Sequence, residues 1–365
     1  MSTIFGLIKR LLAASTYFVF TIKLRITVYL KIRILGQHKK FHIHKNSERK
    51  DSPNVAIVAL YPRKAILISA LRLIDQLIVN EYHVVAVLNG RNSWTDSWLD
   101  ELNQRNLTIL IRPNIGRDFG AYQAGIRYAQ MLPSHGTSKR LIITNDSMYF
   151  FPTSKDFLDD LLSSTHDWFG MFVNYQFHVH AQSFFESFSS KVFLGNEFIN
   201  FWENYYPTNI RHNVINKGEV GLTKKLIKGG FIPHSFVSPS LIESSKKFKG
   251  FRVEDKYALW SGFGFSEIDL NDNSQETHSL KLKIIFSTQN ATHHAALLGT
   301  RVLGIPMKLD LLRTGLASLD DILKIARNAG LSGGELYEFE SEMVAKGSSS
   351  SYTGLRKLWH NFGYE

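Results

Sequence analysis

Residues 55–61 read VAIVALY, and three further apolar runs follow: HVVAVLNG (83–90), LTILIRP (107–113) and RLIITNDS (140–147). Each run has the length of a buried strand. Between the runs, apolar residues recur at helical spacing, as they do from Leu67 to Ile78, which predicts intervening helices. The resulting βαβαβαβ order predicts an α/β fold with an open, mostly parallel, twisted sheet that is flanked by helices.

Polar residues follow each of the four predicted strands. They occupy residues 61–64, 89–91, 114–120 and 145–149. Asn89 and Asn114 open the second and third of these segments. Because ligands of open α/β sheets bind beyond the carboxyl ends of the strands, the four segments together predict the binding site.

The segment NIGRDFG (114–120) places Gly116 and Gly120 on either side of Asp118, just before a predicted helix. Glycines allow the backbone to approach a ligand closely, and a helix N-terminus favours an anion. The segment therefore predicts a ligand-binding loop or, alternatively, a tight turn with Asp118 as the helix cap. The glycine spacing differs from G-x-G-x-x-G, so the dinucleotide-binding fingerprint is absent.

Three other segments carry candidate functional residues. Asp146 ends the fourth strand between Asn145 and Ser147, where a carboxylate can hold Mg²⁺ or Mn²⁺ on a diphosphate, although a simple turn explains it as well. Glu219 opens a predicted helix at EVGLT, and it is either a general base or a charge that complements the helix dipole. His293, in NATHHAALL, is either a metal or phosphate contact or a surface histidine.

The net charge of +11 belongs almost entirely to the N-terminus. Residues 1–50 hold eleven Lys and Arg and one Glu, which leaves a net charge of +1 for the rest of the chain. A nucleic-acid-binding groove along the body is therefore disfavoured. The chain has no cysteine, which excludes disulfides and cysteine-based metal sites or nucleophiles.

The first 35 residues mix apolar runs with Lys and Arg. The longest uncharged stretch, Leu11 to Ile22, has twelve residues, whereas a spanning helix needs roughly 20, so we do not expect a transmembrane helix. Scattered basic residues beside apolar runs favour an interfacial element on anionic lipid, and an arm packed on the body is the alternative. The segment from Ile22 to Ile34 has a strand period, while that from Ile4 to Leu12 suits a helix.

Five motifs in one order carry a family resemblance: RPNIGRDFGAY, ITNDSMYF, HAQSFF, KGEVGLT and GIPMKLDLLR. Together they resemble the rhamnan synthesis protein F family of glycosyltransferases, over about residues 54–315. The resemblance implies a GT-A-like nucleotide-sugar domain and rhamnosyl transfer in the assembly of a cell-surface polysaccharide such as lipopolysaccharide.

The resemblance also implies roles for single residues. Asp146 becomes part of the D-x-D-like metal site, and Glu219 becomes the base of an inverting transferase. The implied nucleotide-sugar contacts are Asn89, Asn114, Gly116, Arg117, Asp118, Asn145 and Ser147. The implied acceptor contacts are Gln182, Ser183 and Phe184, and the implied metal contacts are Asp146 and His293. This sequence departs from the family pattern in having one carboxylate at NDS and one at KGEVGLT.

The hypothesis is thus a transferase at the cytoplasmic face of the cell membrane. Residues 1–50 form a basic, membrane-associating arm, residues 51–315 the catalytic domain, and residues 316–365 a helical tail. Residues 51–150 hold the donor, with dTDP-rhamnose favoured and Mg²⁺ or Mn²⁺ as cofactor, and residues 151–315 hold a glycan or lipid-linked acceptor. The alternatives are a carbohydrate-binding scaffold on a degenerate domain and a nucleotidyltransferase.

Overall fold

The computed structural model describes residues 2–36, 39–61, 63, 65–90, 96–176, 178–249, 275–347 and 354–361. Lys64 and Arg91, at the ends of two predicted ligand segments, lie outside these described residues.

The described part of the chain contains a central sheet and two small two-stranded sheets. The strands are β1 His42–Lys45, β2 Asn54–Leu60, β3 His83–Asn89, β4 Thr108–Arg112, β5 Arg140–Asn145, β6 Met148–Tyr149, β7 Trp168–Gly170, β8 Val173–Asn174, β9 His180–Ala181, β10 Phe185–Ser189, β11 His234–Ser235 and β12 Met307–Lys308.

The central sheet has eight strands in the order β1-β4-β3-β2-β5-β10-β7-β11. Strands β4, β3, β2 and β5 are parallel, so the four predicted strands are confirmed as neighbours. Strand β10 runs antiparallel to both β5 and β7, and β11 pairs parallel with β7. The sheet is therefore mostly parallel and mixed, which is compatible with a GT-A-like fold.

Helices cover both faces of this sheet. The α-helices are α1 Ser2–Tyr29, α2 Ile68–Val79, α3 Asp96–Asn103, α4 Arg117–Gln130, α5 Lys155–Leu162, α6 Ser190–Phe193, α7 Asn196–Asn204, α8 Arg211–Val214, α9 Val220–Lys228, α10 Pro239–Ser244, α11 Lys246–Lys249, α12 Gln275–Thr288, α13 Ala291–His294, α14 Ala296–Leu303, α15 Leu319–Asn328, α16 Gly333–Gly347 and α17 Gly354–Asn361. Two π-helical turns, Leu30–Ile34 and Ile215–Glu219, follow α1 and α8.

Strand β2 shows why the apolar runs are continuous. From Val55 to Leu60 every residue is buried. Because side chains alternate across a strand, Ala56, Val58 and Leu60 join one core with α2, while the residues between them join a second core with α4. A strand that is buried on both faces needs apolar residues at every position.

Three predicted element boundaries were wrong. Helix α4 begins at Arg117, so the end of the predicted loop 114–120 is already helical. The apolar segment WFGMFVNYQ (168–176) predicts a single strand, but it forms two short strands, β7 and β8. Glu219 does not open a helix, because α8, the π-helical turn Ile215–Glu219 and α9 follow one another without a break.

The C-terminal helices pack on the body rather than extending from it as a tail. In α16, Phe339 and Met343 are buried in the same core as the face of β2 that contacts α2. Glu342 pairs with Arg63 at 2.9 Å. Residues 319–347 therefore help to form the body of the protein.

The N-terminal segment is one long helix, α1, that ends in a π-helical turn. The strand period seen from Ile22 to Ile34 is not realised. Ala13, Val28 and Ile32 are buried against the rest of the chain, and the last two contact Ile115. By length and composition, the segment Gly6–Ile32 could cross a membrane, so the short uncharged stretch does not exclude a spanning helix.

Candidate active site

A cavity of about 730 Å³ opens beyond the carboxyl ends of β4 and β5. It contains most of the side chains that the sequence singles out. The predicted residues that line it are Arg117, Asp118, Asn145, Ser147, Gln182, Ser183, Phe184, Glu219 and His293.

The Asn145 side-chain amide and the Asp118 carboxylate form one wall of the cavity, at the ends of β4 and β5. The Asn145 side-chain amide donates to Asp118 Oδ2 at 3.0 Å. The Ser147 hydroxyl donates to Asn145 Oδ1 at 2.6 Å, and its backbone N–H donates to the same atom at 3.0 Å. This chain of hydrogen bonds fixes which face of Asn145 and Asp118 can meet a ligand.

Burial shifts the pKa of the Asp118 carboxyl group in this wall. It raises the pKa of Asp118 above the ordinary value, and the nearby Arg117 offsets part of the effect. Arg117 has φ 50°, a left-handed conformation that is uncommon for a residue with a side chain. The helix start thus places a guanidinium at the cavity in a strained backbone position.

Arg112 holds the loop that precedes α4. Its guanidinium is fully buried and donates to Asn89 Oδ1 and to the Ile115 carbonyl, each at 2.6 Å. A Cβ on Gly120 would lie 2.1 Å from the Ile115 carbonyl oxygen and 2.8 Å from Arg112. Asn89 therefore lies beneath the cavity as a support for the loop, and it is not among the cavity-lining residues.

Two further predicted contacts, Asn114 and Gly116, are also absent from the cavity lining. Asn114 is exposed and outside the lining. Gly116 has φ 87° and packs against Pro207, and its backbone N–H donates to Asn209 Oδ1 at 2.5 Å. Gly116 therefore allows the turn, and Asn209 is the residue of this pair that lines the cavity.

Asp146 does not face the cavity. Its carboxylate forms a buried ion pair with Arg63 and accepts the Tyr61 backbone N–H at 3.0 Å. Both neighbours in the sequence, Asn145 and Ser147, line the cavity, whereas Asp146 does not. In this structure the turn after β5 directs Asp146 to Arg63 and Tyr61, and its placement on a donor diphosphate stays a prediction.

Glu219 reaches the opposite wall of the cavity. Its Oε1 accepts the Ser183 hydroxyl at 2.6 Å and the Ser183 backbone N–H at 3.3 Å. Its Oε2 lies 3.5 Å from His180 Nε2. The carboxylate is therefore held in one orientation by two groups that come from the segment between β8 and β10.

The π-helical turn accounts for the position of Glu219. A π turn inserts an extra residue into the helical repeat, and such turns are frequent at functional sites. Gly218, the preceding residue, packs against the Phe119 ring, where a Cβ would lie 2.9 Å from ring carbons. The glycine allows the turn to approach α4, and Glu219 follows it into the cavity.

Gln182 and Phe184 complete this wall. Gln182 Oε1 accepts the Thr292 hydroxyl, and Gln182 Nε2 donates to Asn290 Oδ1 at 3.4 Å. Lys308 Nζ lies 5.4 Å from the centroid of the Phe184 ring, within cation–π distance.

His293 pairs with an aspartate instead of lying among metal ligands. Its Nε2 is 3.2 Å from Asp310 Oδ1, and Arg211 and Arg313 are 3.4 and 3.8 Å from Asp310 Oδ2. Burial raises the pKa of Asp310, but the charges of Lys308 and Arg211 and the contact with His293 outweigh it and hold the pKa well below the usual range.

The described side chains at the cavity do not form a ready-made site for a divalent cation. Asp146 is committed to Arg63, and Asn145 Oδ1 already accepts from Ser147. Across the residues that the structure describes, no group of three or more His, Asp or Glu side chains could hold a metal ion. The cavity instead has a cationic lining, with three carboxylates and five basic side chains: Arg117, Arg211, Lys308, Arg313 and Lys346.

Several of these residues were not singled out in the sequence. His180 lies in HAQSFF, where the expected contacts were Gln182, Ser183 and Phe184. Lys308 and Asp310 lie in GIPMKLDLLR, which served only as a family signature. Asn209 and Arg211 belong to a segment without any periodic pattern. The available signal was the polar residue within each apolar motif, such as Lys308 between Met307 and Leu309.

Comparisons with known proteins agree with the motifs. The family model of rhamnan synthesis protein F matches residues 84–260, a narrower range than the expected 54–315. The uncharacterized protein y4gN of Sinorhizobium fredii (strain NBRC 101917 / NGR234) is 31% identical over 210 residues, which cover 56% of this chain and 53% of that protein. The present chain therefore spans about half the length of this relative. The resemblance to the rhamnan synthesis protein F family is thus confirmed over residues 84–260.

Proposed function

We propose that the chain is a glycosyltransferase that moves a sugar from a nucleoside-diphosphate sugar to a hydroxyl group of a glycan acceptor. One observation carries this proposal. A single cavity brings a cationic lining together with one carboxylate, Glu219, that is oriented by Ser183 and His180. The family description supports rhamnose as the sugar and polysaccharide synthesis as the setting. The donor in this proposal is dTDP-rhamnose.

In the proposed reaction, Glu219 takes the proton of the acceptor hydroxyl. The acceptor oxygen then forms a bond to the anomeric carbon of the donor, and the bond from that carbon to the diphosphate oxygen breaks. The nucleoside diphosphate leaves with the electron pair. One base and one displacement invert the anomeric centre, with acid–base demands like those of glycoside hydrolysis.

The departing diphosphate gains negative charge, which the cavity can neutralise with its own cations. Arg117 lies at the wall formed by Asp118 and Asn145, and Lys308 and Arg211 lie near Asp310. Preorganised charges that face developing charge lower the barrier. Since Asp146 is paired with Arg63, we assign this role to the basic side chains.

The activity is tested by product analysis with a panel of dTDP-, UDP- and GDP-sugars. A transferase slowly releases free nucleoside diphosphate from its preferred donor even without an acceptor, and the same donor raises the melting temperature. Release of pyrophosphate from a nucleoside triphosphate and a sugar phosphate would assign a nucleotidyltransferase instead. A thermal shift with a glycan and no turnover of any donor would assign a carbohydrate-binding protein.

A further inference from the structure

The outward face of α1 is apolar except at Ser15, which is exposed near its middle. At 3.6 residues per turn, the residues opposite Ala13 and Leu24 fall on one side of the helix. They are Ile8, Leu11, Leu12, Phe18, Val19, Ile22, Ile26, Tyr29 and Leu30, and all are exposed. Phe18 and Val19 are each 65% exposed. A large exposed apolar patch marks a protein or membrane contact.

The inward face of α1 packs on the body along much of its length. Ala13 and Val28 are buried, and the Trp359 indole N–H of α17 donates to Thr16 Oγ1 at 3.0 Å. From Ala13 to Val28 the contact extends over about 22 Å at 1.5 Å per residue. A helix in this position lies against the body and does not project from it.

The same inward face lines the candidate active site. Tyr17, Phe20, Thr21 and Leu24 border the cavity together with Trp359. The Trp359 ring lies 5.6 Å from Tyr17 and 4.8 Å from Phe20, centroid to centroid. Helix α1 thus separates the cavity from whatever covers its outward face.

Basic residues beside the apolar face indicate the chemistry of the surface that it contacts. Lys9, Lys23, Arg25 and Lys31 belong to α1 and its π-helical extension, and all are exposed. Helical geometry places Lys23 and Arg25 on the flanks between the inward and outward faces. An apolar stripe with basic flanks is typical of a helix that lies in the plane of an anionic membrane surface.

We propose that α1 docks in the plane of an anionic lipid bilayer through its outward face, so that the cavity mouth, which is bordered by its inward face, is held at the membrane surface. The occupant of the apolar face is the lipid, and the basic flanks contact its phosphate groups. A spanning orientation would separate α1 from Ile115, Trp359 and the cavity. This docking does not depend on the chemistry proposed for the cavity.

Vesicle flotation tests the contact with the full chain. The double variant Phe18→Gln/Ile26→Gln keeps good helix formers in place and should bind phosphatidylglycerol-containing vesicles at least about ten-fold more weakly. Lys23→Gln/Arg25→Gln should lose about five-fold per charge on these vesicles and little on neutral ones. The matched control, Val79→Gln/Ile232→Gln, removes side chains that are 71% and 80% exposed elsewhere and should bind like wild type.

A depth scan separates the in-plane from the spanning orientation. Because the chain has no cysteine, single cysteines at Ile8, Val19 and Ile26 can carry a fluorophore and report alone. In-plane docking predicts equal quenching of all three by a shallow lipid quencher. Strong quenching of Val19 alone by a deep quencher would show a spanning helix and overturn the proposal.

Two other outcomes would also overturn the proposal. Equal vesicle binding by wild type and Phe18→Gln/Ile26→Gln would remove the role of the outward face. A lipid-free dimer that Phe18→Gln/Ile26→Gln converts to a monomer would assign the face to a second copy of the chain. Slow release of nucleoside diphosphate from the donor tests the function proposed for the cavity. Its result does not depend on vesicle binding or on dimer formation.

Discussion

The parallel strands β2 to β5 and the strands β7, β10 and β11 form one sheet, yet their carboxylates and cations are held differently. Beyond β5, Asp146 lies in a buried ion pair with Arg63. On β10, Glu186 is buried with the Trp168 indole N–H as a hydrogen-bond donor at 3.0 Å. Burial raises the pKa of Glu186 to about 8.

The two arrangements suit different roles. The first stabilises the fold, and the second suits a carboxylate that takes part in the reaction. In the parallel region, ionic groups are matched by partners and stabilise the ends of strands. In the second region, the carboxylates of Glu186 and Glu219 accept hydrogen bonds from neutral donors, the Trp168 indole and the Ser183 hydroxyl. Glu219, held by Ser183 and His180, belongs to the second type. The comparison predicts that substitutions in the two regions will have different consequences.

The largest effect is expected for Glu219→Gln. If Glu219 is the base, kcat should fall by about 10²–10⁴, while donor affinity and melting temperature stay close to those of wild type. The measurement is steady-state transfer together with donor binding by calorimetry.

The matched control is Glu203→Gln, which changes an exposed carboxylate outside the cavity lining and should leave kcat unchanged. A kcat near that of wild type in Glu219→Gln would refute the base role.

Asp146→Asn should act on stability. Removing Asp146 leaves Arg63 with one acidic partner, Glu342 at 2.9 Å, instead of two. The loss should cost about 3 kcal/mol of unfolding free energy. Urea unfolding measures this, and Asp156→Asn, an exposed carboxylate on α5, is the control. Unchanged stability, with turnover abolished by a chelator, would instead support the metal site first expected at Asp146.

Lys308→Met tests the cationic lining. Losing a charged contact to phosphate costs about 1.5–3 kcal/mol, so the Kd for the nucleoside diphosphate should rise about ten-fold or more. Isothermal titration measures it, with Lys191→Met, an exposed lysine on α6, as the control. An unchanged Kd would place the diphosphate away from Lys308.

The most gradual effect, and the smallest within any one pH unit, concerns Glu186. Because its pKa is about 8 in the folded chain against an ordinary 4.5, the folded state keeps a proton that the unfolded state releases between these values. Stability is therefore full below the lower value and is lost as pH rises toward 8, by at most about 1.4 kcal/mol per pH unit. Glu186→Gln should flatten this slope in urea unfolding, whereas exposed Glu48→Gln should not. An unchanged slope would show that Glu186 is ionised at neutral pH.

The amount that could be predicted differs between the two regions. The four parallel strands and the loop before α4 were predicted from apolar runs and glycines. The short strands β9 and β10 were missed, because two- and five-residue strands give little periodic signal. Asn89 and Asn114 were placed correctly at strand ends, but their side chains support the loop or face solvent.

The amino-acid sequence by itself determined the parallel half of the sheet and the segments that border the cavity, because strands buried on both faces require continuous apolar runs. Tertiary structure decided which polar residues face the cavity. Arg63 and Asp146 are 83 residues apart, and Ser183 and Glu219 are 36 apart. Arg63 neutralises the charge of Asp146, and Ser183 orients Glu219. Both partners are distant in the sequence, so a local pattern of residues cannot predict them.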